Sequence, residues 1–155
     1  MKQLSKKELE TELDKLLTRG TNDIQLDKED LETIINRNGL IYMSVADYSG
    51  KKAACKAMKL AIEDLKMSDY SNIRTTNKGV LVHFKLPSYY PALEMNEALE
   101  LMYDEFPELL YNSGHEEAYS GFCTSTDNSV SENYACVTVF INEFEIQKHI
   151  PVNNI

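Results

Sequence analysis

Tryptophan is missing from this 155-residue sequence, glycine occurs six times, proline four times, and cysteine and histidine three times each. These scarcities exclude several chemistries. The glycines form no run whose backbone N–H groups could cradle phosphates, so no nucleotide or other cofactor is expected. Cys55, Cys123 and Cys136 are odd in number and make no C-x-x-C pair, which reads as reduced, packed thiols and not as a disulfide or metal site. His83, His115 and His149 fall on a strand, a loop and the tail, with none of the i, i+4 pairing that would gather a metal. The sequence has no apolar run near the ~20 residues needed to span a bilayer. Its opening, MKQLSKKELE, is too polar for a secretory signal, so a cytoplasmic location is expected.

Positive charge is also short, and unevenly so. The formal net charge is −9; residues 1–85 carry 15 Lys/Arg against 13 Asp/Glu, while residues 86–155 carry Lys148 alone against 12 acids. A half near −11 repels phosphate backbones, and the rest shows no basic stripe with interleaved aromatics. Nucleic acid is therefore not an expected partner. What is present is 43% apolar residues in a chain of single-domain length, the composition of a globular protein.

The pattern divides into an N-terminal amphipathic helix and turn (1–23), a main domain (24–145) and a polar tail (146–155). In 4-LSKKELETELDKLLTRG-20, Ser5 and Glu8 form an S-x-x-E capping box and Leu4 and Leu9 stand at the staple positions. Leu9, Leu13, Leu16 and Leu17 follow at helical spacing. That stripe either packs on the domain or is held out for another protein or a second copy. In 24-IQLDKEDLETIINRNG-39, Asp27 can cap a short helix carrying Leu31, Ile34 and Ile35. The run 40-LIYMSVA-46 has strand character and 47-DYSG-50 has turn chemistry. The helix in 51–67 would bury Ala54, Met58, Ala61, Ile62 and Leu65. In 79-GVLVHFKL-86, Leu81, His83 and Lys85 alternate with Val80, Val82, Phe84 and Leu86. After 87-PSYYP-91 comes a helix with Met95, Ala98, Leu99, Met102 and Phe106 on one side, ended by Pro107. The runs 116–125 and 133–142 are strands joined by a polar loop. The order, helix, helix, β-α-β-α-β-β, implies an α+β two-layer sandwich with one mixed sheet.

Taken in order, 25-QLDKEDL-31, 40-LIYMSVA-46, 50-GKKAACKAMKLAIED-64, 79-GVLVHF-84, 94-EMNEALELM-102, 124-TSTDNS-129 and 135-ACVTVF-140 resemble the C-terminal domain of the bacterial tubulin homologue FtsZ, over roughly residues 24–142. The resemblance implies a four-stranded sheet in the order 1-4-2-3, the last strand antiparallel to the others, with the N-terminal helix as an addition. It does not extend to the family's GTPase domain, whose G-G-G-T-G-[ST]-G loop is missing. The family's glycine-bearing loop after G-V-L-V is replaced by 87-PSYYP-91. The opening Met and plain polar tail fit a stand-alone domain as well as a piece cut from a longer chain.

In FtsZ filaments an acidic loop enters the neighbouring subunit's nucleotide pocket and helps orient the attacking water. Asp27 and Asp30 match that loop's two acids, with Gln25 in place of its asparagine and Lys28 and Glu29 in place of its small apolar pair. A helix cap worth about 1 kcal/mol is the plainer explanation of the same residues. Serines and cysteines lack any elbow or dyad spacing, so the chain is not expected to be an enzyme. Tyr89 and Tyr90, two aromatics between prolines, form either a stiff recognition edge or a loop folded over the core. The expectation is a non-enzymatic protein acting by contact, its partner FtsZ or another division or cytoskeletal component. A self-associating scaffold unrelated to division and a small enzyme with its site between subunits are the alternatives.

Overall fold

The computed structural model describes residues 1–16, 40–67, 77–105 and 119–144. Its elements are β1 (Lys2–Leu4), α1 (Lys6–Leu16), β2 (Leu40–Ser49), α2 (Ala53–Met67), β3 (Asn77–Leu86), α3 (Ala92–Glu105), β4 (Tyr119–Thr126) and β5 (Tyr134–Phe144). Asp27, Asp30, Leu17, Phe106, Pro107 and His115, with the short helix expected near 31–35, lie outside the described residues.

The strands form one mixed sheet in the order β1-β2-β5-β3-β4. β5 runs antiparallel to both β2 and β3, and β4 parallel to β3, so the carboxyl ends of β2, β3 and β4 lie at one end of the sheet. Four strands were expected and five are present among the described residues. The addition is β1, whose Lys2, Gln3 and Leu4 pair antiparallel with Met43, Tyr42 and Ile41. A second correction concerns 47-DYSG-50, read as a turn: β2 continues through Ser49, in register with Cys136, Ala135 and Tyr134 of β5. Strand pairing outweighs the local turn preference of Asp47 and Ser49. The bend itself is made at Gly50, whose φ of +139° suits glycine and whose N–H donates to the Asn133 carbonyl at 2.9 Å.

The period-2 alternation of β3 places Val80, Val82 and Phe84 on the face that packs against α2 and α3, together with Val137, Val139 and Ile141 of β5. Ala54, Ala57 and Ala61 line the buried side of α2, and their small side chains bring its backbone close to the sheet. α3 buries Met95, Ala98, Leu99 and Met102 in the same layer. Sheet and two helices make a two-layer sandwich. On the opposite face, Leu9 and Leu13 of α1 pack with Leu4, Ile41, Leu81, Cys123 and Phe140. Both partners of the capping box are in place: the Glu8 N–H donates to Ser5 Oγ at 3.1 Å and the Ser5 N–H to Glu8 Oε1 at 3.3 Å. At about 1.5–3 kcal/mol per fully buried leucine, Leu9 and Leu13 hold α1 against the sheet.

Candidate functional site

At the carboxyl end of the sheet the chain departs from regular geometry. Both non-glycine residues with positive φ among those described lie here: Lys52 at +55°, entering α2, and Tyr89 at +65°, before α3. Pro87, Ser88, Tyr89 and Tyr90 form a turn closed by the Tyr90 N–H on the Pro87 carbonyl at 3.4 Å. With φ positive at the third residue only, this is the geometry that favours glycine or asparagine there, yet tyrosine occupies it. Strain of this kind in a well-packed domain points toward function.

The two tyrosines of 87-PSYYP-91 have separate fates. The Tyr90 hydroxyl accepts the backbone N–H of Ala54 at 2.9 Å, satisfying one of the free donors at the start of α2. Burial raises the Tyr90 phenol above its ordinary pKa, partly offset by that N–H. Tyr90 is thus the loop folded over the core. Tyr89 is the exposed edge, fully open to solvent at 101% of its reference area. Four residues on, in the first turn of α3, Leu93 is 69% exposed. Sequence reasoning singled out Tyr89 and missed Leu93. The signal was available, because Leu93 lies opposite Met95, Ala98 and Met102 on the helical wheel.

Beside Tyr89 and Tyr90 a cavity of about 300 Å³ opens between the 87–90 turn, the start of α3 and the end of β4, lined by Leu86 and Met95 and by Thr124 and Thr126, while Leu93 projects from the opposite face of α3. Its rim is fixed by local bonds. The Ser88 N–H donates to Asn128 Oδ1 at 3.0 Å, and the Asp127 N–H to the Leu86 carbonyl at 2.9 Å. Asp127 in turn accepts from the Ser129 N–H and hydroxyl and pairs with Lys85 at 3.4 Å. Chiefly the Ser129 bonds hold its carboxyl below the ordinary range. Lys52 pairs with Glu97 at 3.2 Å across the α2–α3 seam.

The remaining sequence candidates are placed elsewhere. Leu9 and Leu13 are buried and Leu16 is half-buried in the chain's own second core, so these three leucines of the stripe pack within the molecule. His83 is buried under the other face with Ser125, whose hydroxyl lies 2.9 Å from Nε2. Burial pushes the Cys123 thiol up to about 12, and Cys55 and Cys136 are raised for the same first cause. Among the described residues no group of three or more His, Cys, Asp or Glu is placed to hold a metal. Nor is any helix among them long and apolar enough to cross a membrane.

No protein-family model and no curated protein matches the sequence. Solved structures match the fold. The empty FtsZ dimer of M. jannaschii superposes with a TM-score of 0.62 at 20% identity, covering 84% of this chain and 34% of that one. A mutant FtsZ of the same organism gives 0.64 at 20% identity, with 84% and 35% covered. TubZ of Bacillus thuringiensis serovar israelensis, in GDP-form protofilaments, gives 0.50 at 13% identity, with 83% and 33% covered. The chain has the fold of a partial FtsZ-like domain and spans about a third of the length of these structures. At these identities the likeness is one of fold.

Proposed function

We propose that this chain is a non-enzymatic FtsZ-like domain that works by protein–protein contact, with FtsZ filaments or another division or cytoskeletal component as its partner. The observation that carries the reading is the coincidence of an FtsZ-like fold with a strained, fully exposed Tyr89 at the carboxyl end of the sheet. A tyrosine that contributes nothing to the core, at a position where glycine would be more stable, is supported better by an external contact than by folding. The absence from the sequence of a glycine-rich phosphate loop supports a role without nucleotide chemistry of its own.

In this reading the mechanism is one of occupancy. A head-to-tail polymer needs two complementary faces on every subunit. A protein that engages one face and offers no second stops growth there, or decorates the filament side and alters its bundling. Asp27 and Asp30 belong to this proposal through the resemblance of their segment to the FtsZ acidic loop.

The test is pelleting of FtsZ from the same cell, polymerised with GTP, at increasing ratios of the purified chain. Co-pelleting, or a fall in pelleted FtsZ with a matching change in GTP turnover, is the expected result. Unchanged pelleting and turnover, with the chain left in the supernatant, would remove FtsZ as the partner.

A further inference from the structure

We infer that the outer surface of the helix layer is a self-association face, on which the chain pairs with a second copy of itself about a two-fold axis running between α2 and α3. β2 and β3 both run antiparallel to β5, so the helices that follow them return in the same direction and lie parallel, side by side. Their relative level is fixed by two contacts with the same sequence offset of 39, Cys55 Sγ on the Glu94 carbonyl at 3.6 Å and Lys66 on Glu105 at 2.8 Å. At 100° per residue, Lys56, Lys59, Leu60 and Glu63 occupy the outer side of α2, opposite the buried Ala54, Met58 and Ala61. Leu93, Glu100 and Asp104 occupy the outer side of α3, opposite Met95, Ala98 and Met102. All of these outer residues are exposed.

What covers this face is set by its charges. The acids of the seam are neutralised within the chain, Glu97 by Lys52 and Glu105 by Lys66. Outside the seam, Lys56 leans on Tyr48, whose ring lies 4.7 Å away and whose hydroxyl accepts from Nζ at 3.1 Å, so its charge meets no acid. Lys59, Glu100 and Asp104 have no ion pair among the described residues. The layer therefore shows a basic ridge on α2 beside an acidic ridge on α3. A partner of one sign fits one ridge and is repelled by the other. A second copy turned about an axis along the layer lays its α2 over α3 and its α3 over α2, so each ridge meets its opposite, as an isologous contact does. With the offset of 39, Lys59 lies within one turn of the level of Glu100, which makes these two the central pair. Glu63 falls near the level of Asp104 in the second copy. An oblique helix crossing, in the common class near about 50°, draws those two acids apart and keeps the centre in contact. Leu60 and Leu93 add apolar area to the face. Two helices about 22 Å long and about 10 Å wide offer a contact of modest size, which places the dimer in the weak, concentration-dependent class.

This dimer is separate from the proposed function and is measured on the pure chain, with no FtsZ present. Sedimentation velocity of the full chain, from about 5 to 500 µM, compares wild type with Lys59→Glu, Glu100→Lys and the double variant Lys59→Glu/Glu100→Lys. A salt concentration of about 0.15 M suits the test, because a Debye length of about 8 Å screens the net charge of −9 and spares pairs in contact. Both side chains are exposed, and thermal melts verify that each variant is folded. If a single variant melts early, Lys59→Gln or Glu100→Gln replaces it and keeps the loss of association testable. Wild type should shift toward a dimer as concentration rises. Each single variant sets like charges against each other across the axis, and its association constant should fall at least about tenfold. The double variant exchanges the two charges and should recover the dimer. An equimolar mixture of the two single variants should recover it as well, because each then offers the charge that the other lacks. A wild type that stays monomeric throughout, or single variants that associate as tightly as wild type, would overturn the assignment. So would failure of the double variant or of the mixture to recover.

Discussion

Replacing Tyr89 by glycine should make the protein more stable. The residue sits at φ +65°, where an L side chain costs roughly 1–2 kcal/mol and glycine costs nothing. Its side chain is fully exposed, so removing it forfeits no burial. Against the gain stands the greater freedom of glycine in the unfolded chain, about 0.5–1 kcal/mol. The net expectation for Tyr89→Gly is a stabilisation of about 0.5–1 kcal/mol. For a domain of this size that is a rise in Tm of about 2 °C. Tyr89→Ala separates the causes, because alanine keeps the backbone strain and also loses the exposed ring; its stability should stay near wild type. Urea titrations of the three proteins, followed by far-UV circular dichroism with a shared m-value, measure the differences directly. Tyr89→Gly no more stable than Tyr89→Ala would mean that the turn carries no strain. Tyr89→Gly clearly less stable than wild type would mean that the tyrosine side chain supports the fold. In either case the argument that Tyr89 is kept for a partner would fail.

Three further outcomes follow from the packing and electrostatics. Leu13→Ala should cost about 2–5 kcal/mol in urea unfolding without changing the mass measured by light scattering, since Leu13 is buried against the chain's own sheet. In native protein the buried Cys55 and Cys123 should resist a thiol reagent at pH 8 and the half-buried Cys136 should react slowly, all three reacting at once in urea; fast labelling of Cys123 would show that the second core opens. Asp127 is held below its ordinary pKa, so its bonds to Ser129 and Lys85 stabilise the fold above about pH 4 and are lost as pH falls through the lowered folded value. Asp127→Asn should therefore flatten that part of the stability–pH curve, and an unchanged curve would place the acid sensitivity elsewhere.

The parts of the fold legible in the sequence are those whose cause is local. Ser5 and Glu8 announce the start of α1 three residues apart, and the alternation of Val80, Val82 and Phe84 with Leu81 and His83 sets both faces of β3. The buried sides of α2 and α3 follow from helical spacing alone. Features that depend on distant partners were not legible. β1 is three residues long, too short to show a period, and exists because Ile41–Met43 offer it an edge. Asp47 reads as a turn residue until β5 lies beside it, where the Tyr134 hydroxyl donates to its carboxylate at 3.2 Å. The Ser44 hydroxyl meets the Ala61 carbonyl and the Asp64 carboxylate across the first core, joining β2 to α2 through bonds no motif could signal. At the candidate site, 87-PSYYP-91 marked a turn with two aromatics. Which tyrosine would cap α2 and which would stand in solvent depended on the position of the Ala54 N–H.

The account turns on the carboxyl end of the sheet being the surface at work. Backbone amide NMR of the ¹⁵N-labelled chain, titrated with unlabelled FtsZ from the same cell, examines that most directly. Shifts and broadening should gather at Ser88–Leu93 and at Thr126–Ser129. Perturbations centred on α1 and β1, or a spectrum indifferent to FtsZ, would contradict it.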